Sequence, residues 1–84
     1  MIIDVRTAEE YADGHAEGAV NIPLGDIMAG NFGVLEGLEK ATPLQLYCRS
    51  GARSECAQGL LSAAGFTNVV NLGGLEDAIR TLGS

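Results

Sequence analysis

The stretch around Cys48 combines residue types that could carry out thiol chemistry. Cys48 follows the segment Leu44-Gln45-Leu46-Tyr47 and precedes Arg49-Ser50-Gly51-Ala52-Arg53-Ser54. Backbone N–H groups in a tight turn that leads into a helix bind anions, and the helix N-terminus adds about half a positive charge there. Such surroundings, together with neighbouring arginines, lower a thiol pKa from about 8.5 to about 3.5–7.5. The pattern therefore predicts that Cys48 is a nucleophile that is ionised near neutral pH.

Two arginines bracket this turn with no acidic residue between them, in a chain whose formal net charge is −6. They predict a local positive patch that attracts a small anion. Arg49 is expected to meet the substrate, while Arg53, at the junction of loop and helix, is expected to hold the turn closed and keep the thiol acidic. Ser54 is expected to cap the helix. Affinity for the anion is expected to fall as salt screens the two charges.

The remaining candidates are better explained by structure than by chemistry. Cys56 adjoins the apolar stripe of the following helix, which favours packing over reactivity. His15 has no cysteine or carboxylate at an informative spacing, so we expect it to order its loop by a hydrogen bond. Asp4 and Arg6 lie on one face of a strand end and are expected to form an ion pair. Two cysteines and one histidine cannot complete a four-ligand zinc site without carboxylates, so no metal is predicted.

Short apolar strands alternate with helices along the chain and must position these groups. Strands are predicted at 2–5, 19–22, 44–47 and 68–71, and helices at 8–12, 26–40, 54–64 and 75–82. Thr7 and Glu10 form a capping box for the first helix, and glycines interrupt the second. Gly73-Gly74 is expected to be a turn. The alternation predicts an α/β fold with a small parallel sheet flanked by helices on both faces, and Cys48 lies where ligands bind, beyond a strand's carboxyl end.

Length and composition limit the classes of function. The 84 residues predict a single domain over 1–84, and 46% hydrophobic content is typical of a folded chain. No apolar run is long enough to span a membrane, and Met1 to Arg6 already carries an acid and a base, so no signal peptide is recognised in the sequence as given. The excess of acidic residues disfavours nucleic acid and anionic lipid as partners. We expect a monomer.

Three ordered motifs resemble those of the rhodanese domain and together span nearly the whole chain. The first pairs Ile3-Asp4-Val5-Arg6 and Glu10-Tyr11 with Gly14-His15 and Gly18-Ala19-Val20-Asn21-Ile22-Pro23, the second is Tyr47 to Ser54, and the third joins Ala64-Gly65-Phe66 to Val69-Val70-Asn71-Leu72-Gly73-Gly74. The short length and the ending Gly73-Gly74-Leu75-Glu76-Asp77 are similar to the phage-shock-protein-E subgroup of small thiosulfate sulfurtransferases. Most rhodanese domains carry a strand and a helix before the position of Ile2, and many carry a tryptophan near Ala78. This sequence has neither, which leaves a barer sheet edge.

The resemblance implies a sulfur-transfer reaction at Cys48. The cysteine would take the outer sulfur of thiosulfate as a persulfide, release sulfite, and pass the sulfur to a thiol or to cyanide. The substrate-binding loop would be Arg49, Ser50, Gly51, Ala52 and Arg53, with no metal or organic cofactor. The resemblance also implies the periplasm if an upstream signal peptide has been removed, and otherwise the cytoplasm.

Two alternatives use the same residues differently. A cysteine phosphatase or arsenate reductase has a similar loop, but four residues separate Cys48 from Arg53, whereas the phosphatase signature has five. The shorter loop suits a single sulfur atom better than a tetrahedral oxyanion. A non-catalytic rhodanese-type module could bind a partner or carry sulfur. Modules of that kind usually lose the cysteine, and Cys48 is retained.

Overall fold

Strands and helices alternate in the computed structural model, which describes residues 1–83. The strands are β1 (Ile2–Asp4), β2 (Val20–Asn21), β3 (Leu44–Cys48) and β4 (Val69–Gly74). The α-helices are α1 (Ala8–Asp13), α2 (Leu24–Met28), α3 (Ala52–Ala63) and α4 (Leu75–Gly83), and a 3-10 helix spans Gly33–Gly37. The region predicted as an interrupted helix over 26–40 thus contains two short helices. Gly30 lies between them and Gly33 begins the second, and both glycines have positive φ. Within residues 1–83, no helix has the length and apolar character that crossing a membrane requires.

The four strands form one parallel sheet in the order β2-β1-β3-β4. Ile3 lies beside Leu46, and Leu46 lies beside Asn71 on its other side. Because all strands run the same way, their carboxyl ends share one edge of the sheet, and Cys48 is the last residue of the central strand β3. This architecture confirms the predicted α/β class.

Side chains that alternate along β1 and β3 enter two separate cores. Ile3 and Leu46 belong to a cluster that includes Ala57 and Leu61 of α3, whereas Tyr47 belongs to a second cluster. That second cluster contains Ala78 of α4, with Tyr11 of α1 packed against it. Helices therefore cover both faces of the sheet, as the sequence predicts. Burying each large aliphatic side chain contributes about 1.5–3 kcal/mol, so β3 is anchored from both sides.

Several element boundaries differ from the predictions, and the start of α3 and the end of β4 affect the loop after β3. The helix α3 begins at Ala52, with Gly51 as its N-cap, so Ala52 and Arg53 belong to the first helical turn and not to the loop. Ser54 does not cap this helix. The strand β4 continues through Gly74, which pairs with Cys48 after an irregularity in the ladder, so the predicted turn at Gly73-Gly74 is a strand end.

Candidate active site

The sulfur of Cys48 lies inside the turn that joins β3 to α3. Cys48 is fully buried, and its Sγ accepts a hydrogen bond of 2.9 Å from the backbone N–H of Gly51. Gly51 has φ 98°, a left-handed conformation that glycine adopts without steric cost. The hydroxyl of Ser54 lies 3.6 Å from the same sulfur. The chain therefore folds back over the thiol within three residues and presents an amide to it.

Opposing effects set the acidity of this thiol. Burial raises the pKa of Cys48, but hydrogen bonds from the backbone N–H groups of Ser54, Ser50 and Gly51 and from the Ser54 hydroxyl favour the thiolate. The hydrogen bonds outweigh the burial, so the pKa of Cys48 lies below its ordinary value. An amide-lined turn thus stabilises negative charge on the sulfur, as the sequence pattern indicated.

The guanidinium of Arg53 is paired with a residue of α1. It donates to both carboxylate oxygens of Glu10, at 2.7 and 3.0 Å. The same carboxylate accepts the N–H of Thr7 in the predicted capping box. The Arg53 hydrogen bond, together with that from Thr7, lowers the pKa of Glu10 to about 2. The expectation that Arg53 adds uncompensated positive charge is therefore wrong, because its partner lies 43 positions away in the sequence.

Arg49 is exposed beside a cavity of about 470 Å³ that opens next to Cys48. Its walls include Gly74, the strand partner of Cys48. The lining contains two guanidiniums and four carboxylates, from Arg6, Arg49, Glu10, Asp13, Glu76 and Asp77. Carboxylates therefore outnumber guanidiniums in the lining of this cavity, which the run of residues from 48 to 54 did not indicate.

Two glycines at the end of β4 allow the backbone to approach the turn. A Cβ placed on Gly74 would lie 2.5 Å from the carbonyl oxygen of Arg49. A Cβ on Gly51 would lie 3.3 Å from the Cα of Gly73. These distances leave no room for a side chain at Gly74 and little at Gly51. Close backbone contact between β4 and the turn is thus a structural role for the glycine pair.

Asn71 of β4 connects the strand to the turn and was missed in the sequence analysis. Its Oδ1 accepts hydrogen bonds from the Ser54 hydroxyl at 2.7 Å and from the Gly73 N–H at 2.8 Å. Its Nδ2 donates to the Gly51 carbonyl at 3.2 Å. The only signal in the sequence was a polar side chain in an apolar strand shortly before two glycines.

A buried polar network lies beneath the site and joins the ends of β1 and β3. Arg6 is paired with Asp4 at 2.7 Å and donates to the Gly14 carbonyl at 2.6 Å, which confirms the predicted ion pair. The Tyr47 hydroxyl donates to Asp4 at 2.8 Å and accepts the Ala16 N–H at 3.0 Å. Burial, opposed by the Ala16 hydrogen bond and assisted by Asp4, raises the pKa of Tyr47 to about 12. Tyr47, the residue before Cys48, is thereby held in place with its hydroxyl protonated.

The other two candidates lie outside the loop. His15 Nδ1 is 2.8 Å from the Tyr11 carbonyl oxygen and its ring stacks on Tyr11, as expected of a residue that orders its loop. Cys56 is exposed, so the prediction that it packs is wrong. One position along a helix rotates a side chain by about 100°, which turns Cys56 away from the sheet that Ala57 contacts. Among residues 1–83, no group of three or more histidine, cysteine, aspartate or glutamate side chains is placed to hold a metal ion.

Comparison with known sequences identifies related proteins. The sequence model of the rhodanese-like domain family matches residues 1–80. The thiosulfate sulfurtransferase PspE of Escherichia coli (strain K12) is 39% identical over 80 residues, which cover 89% of this chain and 70% of PspE. The putative sulfur carrier protein YrkF of Bacillus subtilis (strain 168) is 37% identical over 71 residues, which cover 84% of this chain but only 36% of YrkF.

Solved structures share the fold over most of the chain. A rhodanese with anions from E. coli superposes with a TM-score of 0.78 and 38% identity, covering 90% of this chain and 87% of that one. The human single-domain sulfurtransferase TSTD1 superposes with a TM-score of 0.79 and 28% identity, covering 94% and 80%. The similarity therefore includes both the sequence and the arrangement of strands and helices.

Proposed function

The chain belongs to the rhodanese-like domain family and is a sulfurtransferase, and from that premise we propose that Cys48 accepts the outer sulfur of thiosulfate as a persulfide. The observation that carries this proposal is the 2.9 Å hydrogen bond from the Gly51 N–H to the Cys48 sulfur. Amide donors that are already oriented toward a sulfur anion stabilise it without reorganisation during the reaction. The same turn would stabilise both the thiolate and the terminal sulfur of a persulfide.

The proposed cycle has two half-reactions. The Cys48 thiolate attacks the outer sulfur of thiosulfate, a new S–S bond forms, and the sulfur–sulfur bond of thiosulfate breaks as sulfite leaves with the electron pair. Cyanide or a thiolate then attacks the outer sulfur of the persulfide. Thiocyanate or a new persulfide leaves, and the Cys48 thiolate is regenerated. Sulfite departs before the acceptor reacts, so the kinetics are ping-pong.

The cavity beside Arg49 and Gly74 is the proposed entrance for both substrates. Because Cys48 is fully buried, a donor reaches the sulfur only when the surrounding turn moves aside. Arg49 is the exposed cation of this loop and would bind the sulfonate oxygens of thiosulfate. Ser50, Gly51 and Ala52 would contribute backbone, and Arg53 would hold the first turn of α3 through Glu10.

A mass spectrum taken after thiosulfate treatment tests the nucleophile. The wild-type protein and Cys56→Ser should each gain one sulfur atom, and cyanide should remove it as thiocyanate. Cys48→Ser should gain none and should lose sulfur transfer, because the exposed Cys56 lacks the amide-lined turn. The proposal fails if the sulfur is found on Cys56, or if Cys48→Ser retains wild-type turnover.

A sulfur-carrier module is the second candidate, and the acidic lining of the cavity favours it. A carrier would accept sulfur on Cys48 from a protein donor and turn over slowly with thiosulfate. A carrier should form thiocyanate slowly from thiosulfate but readily from a persulfide already formed on Cys48. Comparing these two rates separates the two roles. Aryl phosphate hydrolysis should be negligible in either case, because only four residues separate Cys48 from Arg53. Robust hydrolysis would instead support the phosphatase alternative.

A further inference from the structure

The orientation of the Asn71 amide is fixed by its neighbours. The Gly73 N–H requires an acceptor 2.8 Å away, and the Gly51 carbonyl requires a donor 3.2 Å away. Only one orientation of the amide satisfies both, with Oδ1 toward Gly73 and Nδ2 toward Gly51. Asn71 thus connects the last strand to the N-cap of α3 in a single arrangement.

Asn71 also determines how the Ser54 hydroxyl is used. A hydroxyl has one hydrogen to donate, and three acceptors surround Ser54: Asn71 Oδ1 at 2.7 Å, the Gly51 carbonyl at 3.0 Å and the Cys48 sulfur at 3.6 Å. The shortest contact is with Asn71. The contact of the hydroxyl with the sulfur is therefore the longest of the three, and the shortest donor to Cys48 is the Gly51 N–H at 2.9 Å.

The position of that N–H depends on support from outside the turn. Gly51 has φ 98°, and glycine populates positive and negative φ about equally, so its own preference does not fix the turn. The Gly51 carbonyl is held by Asn71 Nδ2 and lies near the Ser54 hydroxyl that Asn71 orients. The same carbonyl accepts the Glu55 N–H of α3 at 2.9 Å. Holding it restrains the Cα of Gly51, which also carries the N–H that faces the sulfur.

We propose that Asn71 is a positioning residue for sulfur transfer, which keeps the Gly51 N–H directed at the Cys48 sulfur by holding the Gly51 carbonyl and the Ser54 hydroxyl. The inference rests on the proposed role of Cys48, and it adds a residue outside the loop to the machinery of the site. Asn71 does not touch the sulfur. It acts through Gly51 and Ser54.

The pH dependence of Cys48 alkylation by iodoacetamide tests this role. The parent protein is Cys56→Ser, so that Cys48 is the only thiol that reacts. Asn71→Ala removes the amide, and Asn71→Leu removes it while keeping the same number and branching of side-chain heavy atoms. Both variants leave unchanged the charged groups of the cavity beside the turn and the partner of Glu10, which are Arg6, Arg49, Arg53, Glu10, Asp13, Glu76 and Asp77.

Gln58→Ala is the matched control. Gln58 is a half-buried amide of α3 that donates to the Val69 carbonyl of β4 at 2.9 Å, so it also connects α3 to β4 without contacting the turn. We expect both Asn71 variants to raise the Cys48 pKa by about one unit, which lowers the thiolate fraction about tenfold at pH values below the pKa. Gln58→Ala should leave the Cys48 pKa unchanged.

Each outcome bears on the proposal. An unchanged pKa in the Asn71 variants overturns it, and so does an equal shift in Gln58→Ala, which would indicate general loosening of β4. Thermal unfolding shows which variants fold, and if Asn71→Ala has no cooperative transition, the Leu variant decides. Alkylation does not require thiosulfate. A parent with an acidic thiol but no sulfur transfer would therefore contradict the proposed function and leave the role of Asn71 to be judged on its own data.

Discussion

At the scale of single residues, Arg49 and Arg53 carry the same charge in different surroundings. Arg53 is held by both oxygens of Glu10, whereas Arg49 is exposed beside the cavity. A guanidinium that is already paired contributes little attraction to an incoming anion, because the carboxylate cancels most of its field. Arg49 is therefore the residue expected to act on the substrate, and Arg53 the one expected to hold α3 against α1.

We expect Arg49→Ala to raise KM for thiosulfate about fivefold with little change in kcat, a loss of about 1 kcal/mol of binding. Arg53→Ala should lower kcat/KM further, since it leaves Glu10 unpaired and loosens the first turn of α3. Lys40→Ala is the control for loss of one positive charge, because Lys40 lies over the Phe66 ring, away from the cavity. Steady-state kinetics check the prediction, and equal effects from Lys40 and Arg49 would contradict it.

At the scale of elements, features encoded by neighbouring residues could be predicted from the sequence. The capping box of Thr7 and Glu10 and the short strand before Cys48 depend on local patterns, and both are present. The end of β4 depends on pairing between Gly74 and Cys48, 26 positions apart by number, and was placed too early. The contact of Asn71 with Ser54 likewise arises only when β4 docks. Sequence patterns thus predict the turn that holds Cys48 but not the distant residues that hold the turn.

Gly51 in the turn and Gly59 inside α3 provide a matched test of whether the turn needs glycine. Gly51→Ala places a Cβ at φ 98° and 3.3 Å from the Gly73 backbone, so we expect a loss of about 1–2 kcal/mol and a higher Cys48 pKa. Gly59→Ala is the control, since Gly59 lies inside α3 with no atom within 4 Å of the new Cβ. It should gain about 0.5–1 kcal/mol. Thermal unfolding and alkylation rates measure both effects, and a stable Gly51→Ala variant with an unchanged thiol would show that the turn does not need glycine.

At the scale of the whole molecule, the charge distribution opposes a dianionic substrate. The net charge is −6, and four carboxylates against two guanidiniums line the cavity. When the pairs Arg53–Glu10 and Arg6–Asp4 are set aside, the cavity lining keeps Arg49 against Asp13, Glu76 and Asp77. We therefore expect the field in the cavity to repel a dianion overall, with Arg49 offsetting part of it. This reverses the expectation drawn from the sequence, where both arginines counted as unpaired.

We therefore expect KM for thiosulfate to fall as salt rises from 0.01 to 0.1 M, where the screening length shortens from about 30 to about 10 Å. Glu76→Gln should lower KM at the lower salt concentration and reduce the salt dependence, because it removes one carboxylate from the cavity lining. Initial rates over a range of thiosulfate concentrations at each salt concentration provide the measurement. A KM that rises with salt would show that attraction by Arg49 dominates the field.

The order of α3 before β4 in the chain has a consequence for biosynthesis. A nascent chain that has emerged from the ribosome only through α3 contains Cys48 and Gly51 but not Asn71, Gly73 or Gly74. Pairing between β3 and β4 closes a long loop, and contacts of this kind form late because of their entropic cost. With Asn71 in the positioning role proposed above, we expect the pKa of the Cys48 thiol to stay near its ordinary value until β4 docks. The thiolate, which is the form that electrophiles attack, is then expected to prevail only after the domain has folded and buried the sulfur.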